Sequence, residues 1–399
     1  MKILVLDGNQ NQAVACVRSL ARRRHTVWAG ESRAWSKASW SRYCSASFQY
    51  APPEKDAHQF LADVLGEARK EAGTLVLPMT EATTSLISSH RDLFTQVGAR
   101  LVLPGHADLL RAFDKRHTTE LAQSLGIAVP KTVLVSDAGE LDEACSSLQF
   151  PVVLKPRASQ EHSRDGSTRA TGRPAYAKNK TEAIAAFTQM RYLCSFVLVQ
   201  EFVEGTGAGY FALMNRGQLR AEFAHRRIRD LHPTGSGSVL RESVLPSASI
   251  RDASLAMLRA LNWHGVAMIE CRVRPDNVPV FLEINGRFWH SLPLACYAGA
   301  DFPALLATMA EFGDVNSPPP YKVGVRCRWL VGDFRHLMEV WKGPPRGFPG
   351  KFPHRLSTLL AELTPIPGTF HDNFMWNDPL PELGDWIRLV QQVIEARSR

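Results

Sequence analysis

Cysteine pairs of the zinc-binding type, an apolar run of membrane length, a dinucleotide-binding glycine fingerprint and internal repeats are all missing from this 399-residue chain. Its seven cysteines, at positions 16, 44, 145, 194, 271, 296 and 327, show no CxxC spacing and make an odd count. That argues against a structural zinc site and a disulfide framework, and it suits a reducing cytoplasm. The best apolar candidate, Leu292 to Met309, is interrupted by Asp301 and falls short of the roughly 20 residues a membrane helix needs, so no membrane partner is expected. The amino-terminal run Met1 to Asp7 reads as a first strand rather than a signal peptide, being short and followed by no cleavage site. The first strand-to-helix turn, Asp7-Gly8-Asn9-Gln10-Asn11-Gln12, has one glycine where a dinucleotide fingerprint requires three, which excludes a NAD site of that type. Positive charge is plentiful but not concentrated. A net charge of +8 and a pI near 9.2 would suit an anionic partner, yet the basic residues are dispersed. The densest group, Arg22-Arg23-Arg24, sits where an amphipathic helix gives way to a turn, so nucleic acid is not the expected partner.

What is present is ordinary for a globular protein: 45% hydrophobic and 22% charged residues, with length for two or three domains. From Lys2 to about Leu103, short apolar strands (Ile3 to Leu6, Thr26 to Ala29, Leu75 to Leu77, Arg100 to Leu103) alternate with helical stretches. This spacing predicts a parallel sheet with covering helices, an α/β unit over residues 1–110. The turns Asn9 to Gln12 and Pro78-Met79-Thr80-Glu81 lie at carboxyl ends of strands, where such sheets take ligands. A second unit spans 111–195, a third 196–317 with mixed strands and helices, and an extension rich in Trp, Arg and Pro spans 318–399. In the extension a strand is expected over Val323 to Val331 and a terminal helix over Glu382 to Arg397.

The most informative fragment is Val280-Phe281-Leu282-Glu283-Ile284-Asn285-Gly286-Arg287, with Glu270 thirteen positions upstream of Glu283 at the end of Val266-Ala267-Met268-Ile269. Both acids follow runs that read as buried strands. If those strands are neighbours, the carboxylates emerge side by side and require a positive charge between them. A set of oxygen ligands selects Mg²⁺ or Mn²⁺, and magnesium commonly shares phosphate oxygens, which points to a nucleotide. The competing reading is a pair of strand-end acids facing water, with Arg287 as a surface partner.

Other parts stand around this set. Lys155 ends the buried strand Pro151-Val152-Val153-Leu154, and Lys115 lies forty positions earlier. The segment Gln200-Glu201-Phe202-Val203-Glu204-Gly205 is an apolar strand running into a glycine turn, able to offer backbone groups to an adenine edge. Arg226-Arg227, followed by Thr234-Gly235-Ser236-Gly237-Ser238, reads either as a grip for a carboxylate or phosphate or as a basic hairpin with a loose tip. The polar stretch Ala158 to Arg173 reads as a lid or as a plain insertion.

In order and spacing, Lys115, Lys155, Gln200 to Gly205, Glu270 and Glu283 to Arg287 resemble the ATP-grasp superfamily, over roughly residues 110 to 310, with the N-terminal unit similar to the pre-ATP-grasp domain that precedes it. Segments like His225-Arg226-Arg227 and Gly286-Arg287-Phe288-Trp289 look most like its carboxylate-amine ligase-like branch. The resemblance implies ATP and Mg²⁺ (or Mn²⁺) as cofactors, with Lys115, Lys155, Glu201, Phe202, Val203 and Glu204 on the nucleotide. Glu270, Glu283 and Asn285 would hold the metal, and Arg287, Arg226 and Arg227 would act on the substrates. It implies an ADP-producing ligase that joins a small-molecule carboxylate to an amine or thiol through an acyl phosphate, with a homodimer as a common assembly. A non-catalytic ATP-binding module and a bicarbonate-using carboxylase are the alternatives. No segment resembles a biotin carrier, which speaks against the carboxylase, and one departure from the family pattern is visible: Thr206-Gly207-Ala208-Gly209 lacks the acid many relatives carry after this hinge for the ribose. The substrates are expected between the N-terminal turns and the Arg226 and Arg287 region, with Trp289 and His290 near the rim.

Overall fold

A computed structural model describes residues 1–157, 160–162, 168–170 and 174–397. The described residues form seventeen strands, β1 to β17 in chain order, with helices packed around them. The first sheet is parallel, in the order β3-β2-β1-β4, and comprises β1 (Lys2–Val5), β2 (Thr26–Glu31), β3 (Ala46–Gln49) and β4 (Leu75–Leu77). Every residue of β1 and β4 is buried because helices cover both faces, which is why these strands are continuous apolar runs rather than alternating ones. The expected fourth strand, Arg100 to Leu103, is reduced to a single parallel bridge between Leu75 and Arg100, and β3 takes the place of a fourth strand at the opposite edge.

A smaller antiparallel sheet follows, β5-β10-β6-β9, from β5 (Thr132–Val135), β6 (Val152–Pro156), β9 (Ala175–Ala177) and β10 (Val197–Glu201). The strand after residue 196, expected to open the third unit, therefore lies inside the sheet of the second, between β5 and β6. Within the expected lid, β7 (Gln160–His162) and β8 (Thr168–Ala170) pair as an antiparallel ribbon; the rest of Ala158 to Arg173 lies outside the described residues.

The largest sheet runs β15-β14-β11-β12-β13-β16-β17. Its strands are β11 (Thr206–Asn215), β12 (Gln218–Arg229), β13 (Leu240–Val244), β14 (Gly265–Val273), β15 (Pro279–Asn285), β16 (Arg326–Arg328) and β17 (Thr369–His371). The last two come from the carboxyl-terminal extension, which is thus built into this sheet. The strand expected over Val323 to Val331 is only three residues long, and a helix, Leu330–Lys342, begins where it was expected to continue. The terminal helix is present as Leu380–Arg397. Buried polar contacts clasp the extension to the first domain: Arg18 to Asp378, Lys37 to Asp385 and Asn11 to Asp372.

No single helix among the described residues is long and apolar enough to cross a membrane; one pair, Leu292–Ala298 and Phe302–Phe312, passes that test together, bent by 87°. The pair is core: Leu292, Leu294, Ala295, Phe302 and Leu306 are at most 1% exposed and pack with the first domain. Asp301 caps the second helix by accepting from the Ala304 N–H.

Candidate active site

The hairpin of β14 and β15 sets Glu270 directly opposite Glu283. Side chains directly opposed in an antiparallel pair lie on one face, and both acids line a cavity of about 710 Å³. The turn that follows β15 depends on Gly286, where a Cβ would lie 2.7 Å from the Trp263 ring and 2.9 Å from Leu109. Without a side chain at 286 the chain can pass close to the core and leave Asn285 and Arg287 beside the acids. Asn285 donates to Glu283 at 3.3 Å, and the Arg287 guanidinium reaches the Asn285 oxygen at 3.4 Å.

The two carboxylates do not share one environment. Burial alone would raise both, but the Lys115 and Lys155 ammonium groups hold Glu283 below its usual range. Glu270 stays above its usual range: burial raises it, Arg227 at 2.8 Å opposes that, and the charge on Glu283 pushes it further up. Lys115 sits 3.4 Å from Glu283 at the first turn of the helix Lys115–Ser124, which Asp114 caps. Lys155 projects from β6 on the same side as Val153, and β10 presents Leu198 and Gln200 to the same cavity. It donates to the Gln200 oxygen at 2.8 Å, and burial together with the nearby Lys115 pulls its pKa down to about 8. Arg227 is nearly buried, and a Cβ on Gly207 would lie 2.9 Å from its side chain, so the glycine on β11 makes room for it.

Not every residue expected here arrives. Arg226 projects to the opposite face of β12, where its exposed guanidinium pairs with Glu242, itself shared with Arg326. Alternation along a strand forces this, because consecutive side chains leave on opposite faces. Glu201 lines the cavity, but its carboxylate accepts from the Gln149 N–H at 2.9 Å. Phe202 and Val203 do line the cavity, whereas Glu204 is exposed and faces a separate cavity of about 390 Å³. Trp289, expected near the rim, is 1% exposed and packs between Phe211 and Phe302. His290 does line a second, strongly polar cavity of about 620 Å³, together with Asn9, Gln10, Glu31, Arg335 and Arg388.

Sequence reasoning missed Arg272, which donates to the Val203 carbonyl at 3.1 Å and the Gly235 carbonyl at 3.2 Å. It thereby ties the glycine-serine turn to the segment after β10, so the tip expected to be loose is held. Its place two residues after Glu270 was the available signal. Sequence reasoning also gave the extension no part in the cavity, yet Glu339, Lys342, Pro344, Pro345 and Phe352 line it.

No family model matches the chain. A D-alanine–D-alanine ligase of Nitrosospira multiformis is 29% identical over 223 residues, 51% of this chain and 68% of that protein. The biotin carboxylase domain of the Hydrogenobacter thermophilus 2-oxoglutarate carboxylase, a dimer solved with MgADP and bicarbonate, superposes with a TM-score of 0.64 over 82% of this chain and 73% of its own, at 12% identity. The chain has the ATP-grasp fold. An L-amino acid ligase of Bacillus licheniformis shares the ATP-grasp fold with a TM-score of 0.57, at 14% identity, over 77% of this chain and 73% of that one. At such identities these two structures speak for the fold. The curated match spans about half of this chain.

Proposed function

We propose that the chain is an ATP-dependent ligase that activates a small carboxylate as an acyl phosphate and transfers the acyl group to an amine, releasing ADP and phosphate. The observation that carries this reading is the opposition of Glu270 and Glu283 beneath Lys115 and Lys155, in a cavity large enough for a nucleotide. Two half-buried carboxylates whose counter-charges are Arg227 on Glu270 and Lys115 and Lys155 on Glu283 suit a divalent cation shared with phosphates. Glu270, Glu283 and Asn285 are the residues that would hold Mg²⁺, which would supply charge neutralisation at the phosphates when bound.

The chain's own residues account for the rest. Lys115 and Lys155 hold the phosphates in line, and phosphoryl transfer is chiefly a matter of such positioning and charge. Phe202 and Val203 line the base end of the cavity. Arg287 lies near Glu81, Glu283 and Asp7, between the first domain and the metal acids, so it is placed to hold the attacking carboxylate and stabilise the charge that develops on it. The second cavity, bounded by the first strand-to-helix turn and by His290, is the place for the acceptor amine. It lies at the carboxyl ends of parallel strands, as ligand sites in such sheets do. The N-terminal turn is braced for this: the Asp7 carboxylate accepts from Met79 N, Thr80 N, Thr83 Oγ1 and the Tyr50 hydroxyl.

The test is ADP and phosphate release from MgATP against pooled amino acids and small carboxylic acids, with Glu283→Gln as the control. Release confined to particular substrate pairs, and lowered at least about a hundredfold in the variant, is the expected result. Nucleotide binding without turnover on any pool would favour a non-catalytic binding module, and no nucleotide binding would overturn the reading.

A further inference from the structure

Four carboxylates line the cavity between β10 and β14: Glu201, Glu270, Glu283 and Glu339. The first is turned to the Gln149 N–H, and the next two form the paired acids at the phosphate end. Glu339 comes from the last turns of the helix Leu330–Lys342, in the carboxyl-terminal extension. It lies 3.2 Å from His232 Nδ1. His232 belongs to the turn whose Gly235 carbonyl Arg272 ties to Val203, so Glu339 stands beside the base end of the cavity, not among the phosphate-binding groups.

The extension is pressed firmly into this position. Asp333, one and a half turns before Glu339, is 3% exposed and pairs with both Arg229 of β12 and Arg328 of β16. After the helix, Phe348 packs edge-on against Tyr176 at 5.0 Å and Phe202 at 6.0 Å. Gly347 has a φ of +76°, and a Cβ there would lie 2.3 Å from the Tyr176 carbonyl oxygen, so only glycine lets the chain lie this close to the cavity wall. A ribose presents two vicinal hydroxyl donors, and a partly buried carboxylate is the strong acceptor for such a pair.

We propose that Glu339 holds the ribose hydroxyls of the bound nucleotide, so that the extension completes the nucleotide site and makes it selective for ribonucleotides. The inference rests on the ATP-binding reading above.

The test is calorimetric titration of the full chain with MgATP and with Mg-2′-deoxy-ATP. The unaltered protein is expected to bind MgATP about tenfold more tightly, the difference one charge-assisted hydrogen bond makes. Glu339→Ala is expected to weaken MgATP about tenfold and leave 2′-deoxy-ATP within twofold, so that the two nucleotides become equal. Glu339→Gln, which keeps the shape and an acceptor, is expected to fall between them and serves if the alanine variant fails to fold. Discrimination that survives in both variants, or none in the unaltered protein, overturns the inference while leaving the ligase reading intact. Binding of neither nucleotide by the unaltered protein overturns both.

Discussion

Arg18 and Arg227 carry guanidinium groups equally removed from water, at 5% and 4% exposure, and they are employed differently. Arg18 joins the first helix to the extension: it donates to the Asp378 carboxylate at 2.8 Å and to the carbonyls of Asp372, Asn373 and Asp378. Arg227 meets Glu270 at 2.8 Å and its Nη1 makes only a long contact, 3.5 Å, with Asp230, while its Nε is buried without a hydrogen-bond partner among the described residues. A buried donor left unsatisfied costs free energy. The first arrangement is complete as it stands. The second stands behind a carboxylate that faces the cavity.

Truncating each arginine should separate these roles. Arg18→Met leaves the Asp378 carboxylate buried without its charge partner and is expected to cost about 3–5 kcal/mol in denaturant unfolding. Arg227→Met is expected to cost less than about 2 kcal/mol, because Glu270, whose pKa burial already raises, can take up a proton when its partner is gone. Its main effect should be on turnover, about a hundredfold, since it positions Glu270, one of the acids proposed to hold the metal. Equal stability losses in the two variants would break the comparison.

Much of this site was legible because its carriers are local. Glu270 and Glu283 each end a strand-like run, Lys155 ends another, and the α/β alternation of the first domain appears directly in residue order. What escaped depends on contacts distant in the chain. Nothing in Asp372, Asp378 or Asp385 announces that they pair with residues more than 300 positions earlier or, for Asp372, with Arg241. The extension's strands are three residues long, too short for periodicity to show, and its part in the cavity was invisible. The face of Arg226 could be assigned only once the registers of β11 and β14 fixed which side Glu270 occupies. The β10 strand was recognised as a strand but grouped with the strands that follow it, although it pairs with β5 and β6, because antiparallel partners leave no mark on a strand's own sequence.

Lys155 offers a sharper contrast through pH. Its pKa of about 8, against an ordinary value of 10.5, means that it loses its charge above pH 8 while the unfolded chain keeps that proton to pH 10.5. Between those values the unfolded state binds more protons, so this group's contribution to stability rises with pH. Nucleotide affinity should move the opposite way, falling up to about tenfold per pH unit above 8, with proton uptake on binding. Calorimetry in buffers of different ionisation enthalpy measures that uptake. Lys155→Arg, charged throughout, should flatten the profile, and an unchanged slope in that variant would place the titrating group elsewhere.

The smallest effect is expected one residue from one of the largest. Arg226 neighbours Arg227 in sequence, but its guanidinium is 63% exposed and meets Glu242 across the far face of the sheet. Exposed pairs of this kind contribute about 0–1 kcal/mol, and Glu242 keeps Arg326 at 2.8 Å when Arg226 is removed. Arg226→Ala should therefore shift stability by less than about 1 kcal/mol and leave kcat/KM within about threefold of the unaltered enzyme, a change of RT ln 3 or about 0.6 kcal/mol. A loss in kcat/KM comparable to that of Arg227→Met would mean that both faces of β12 serve the reaction, and the division between a filled structural face and a receptive one would have to be given up.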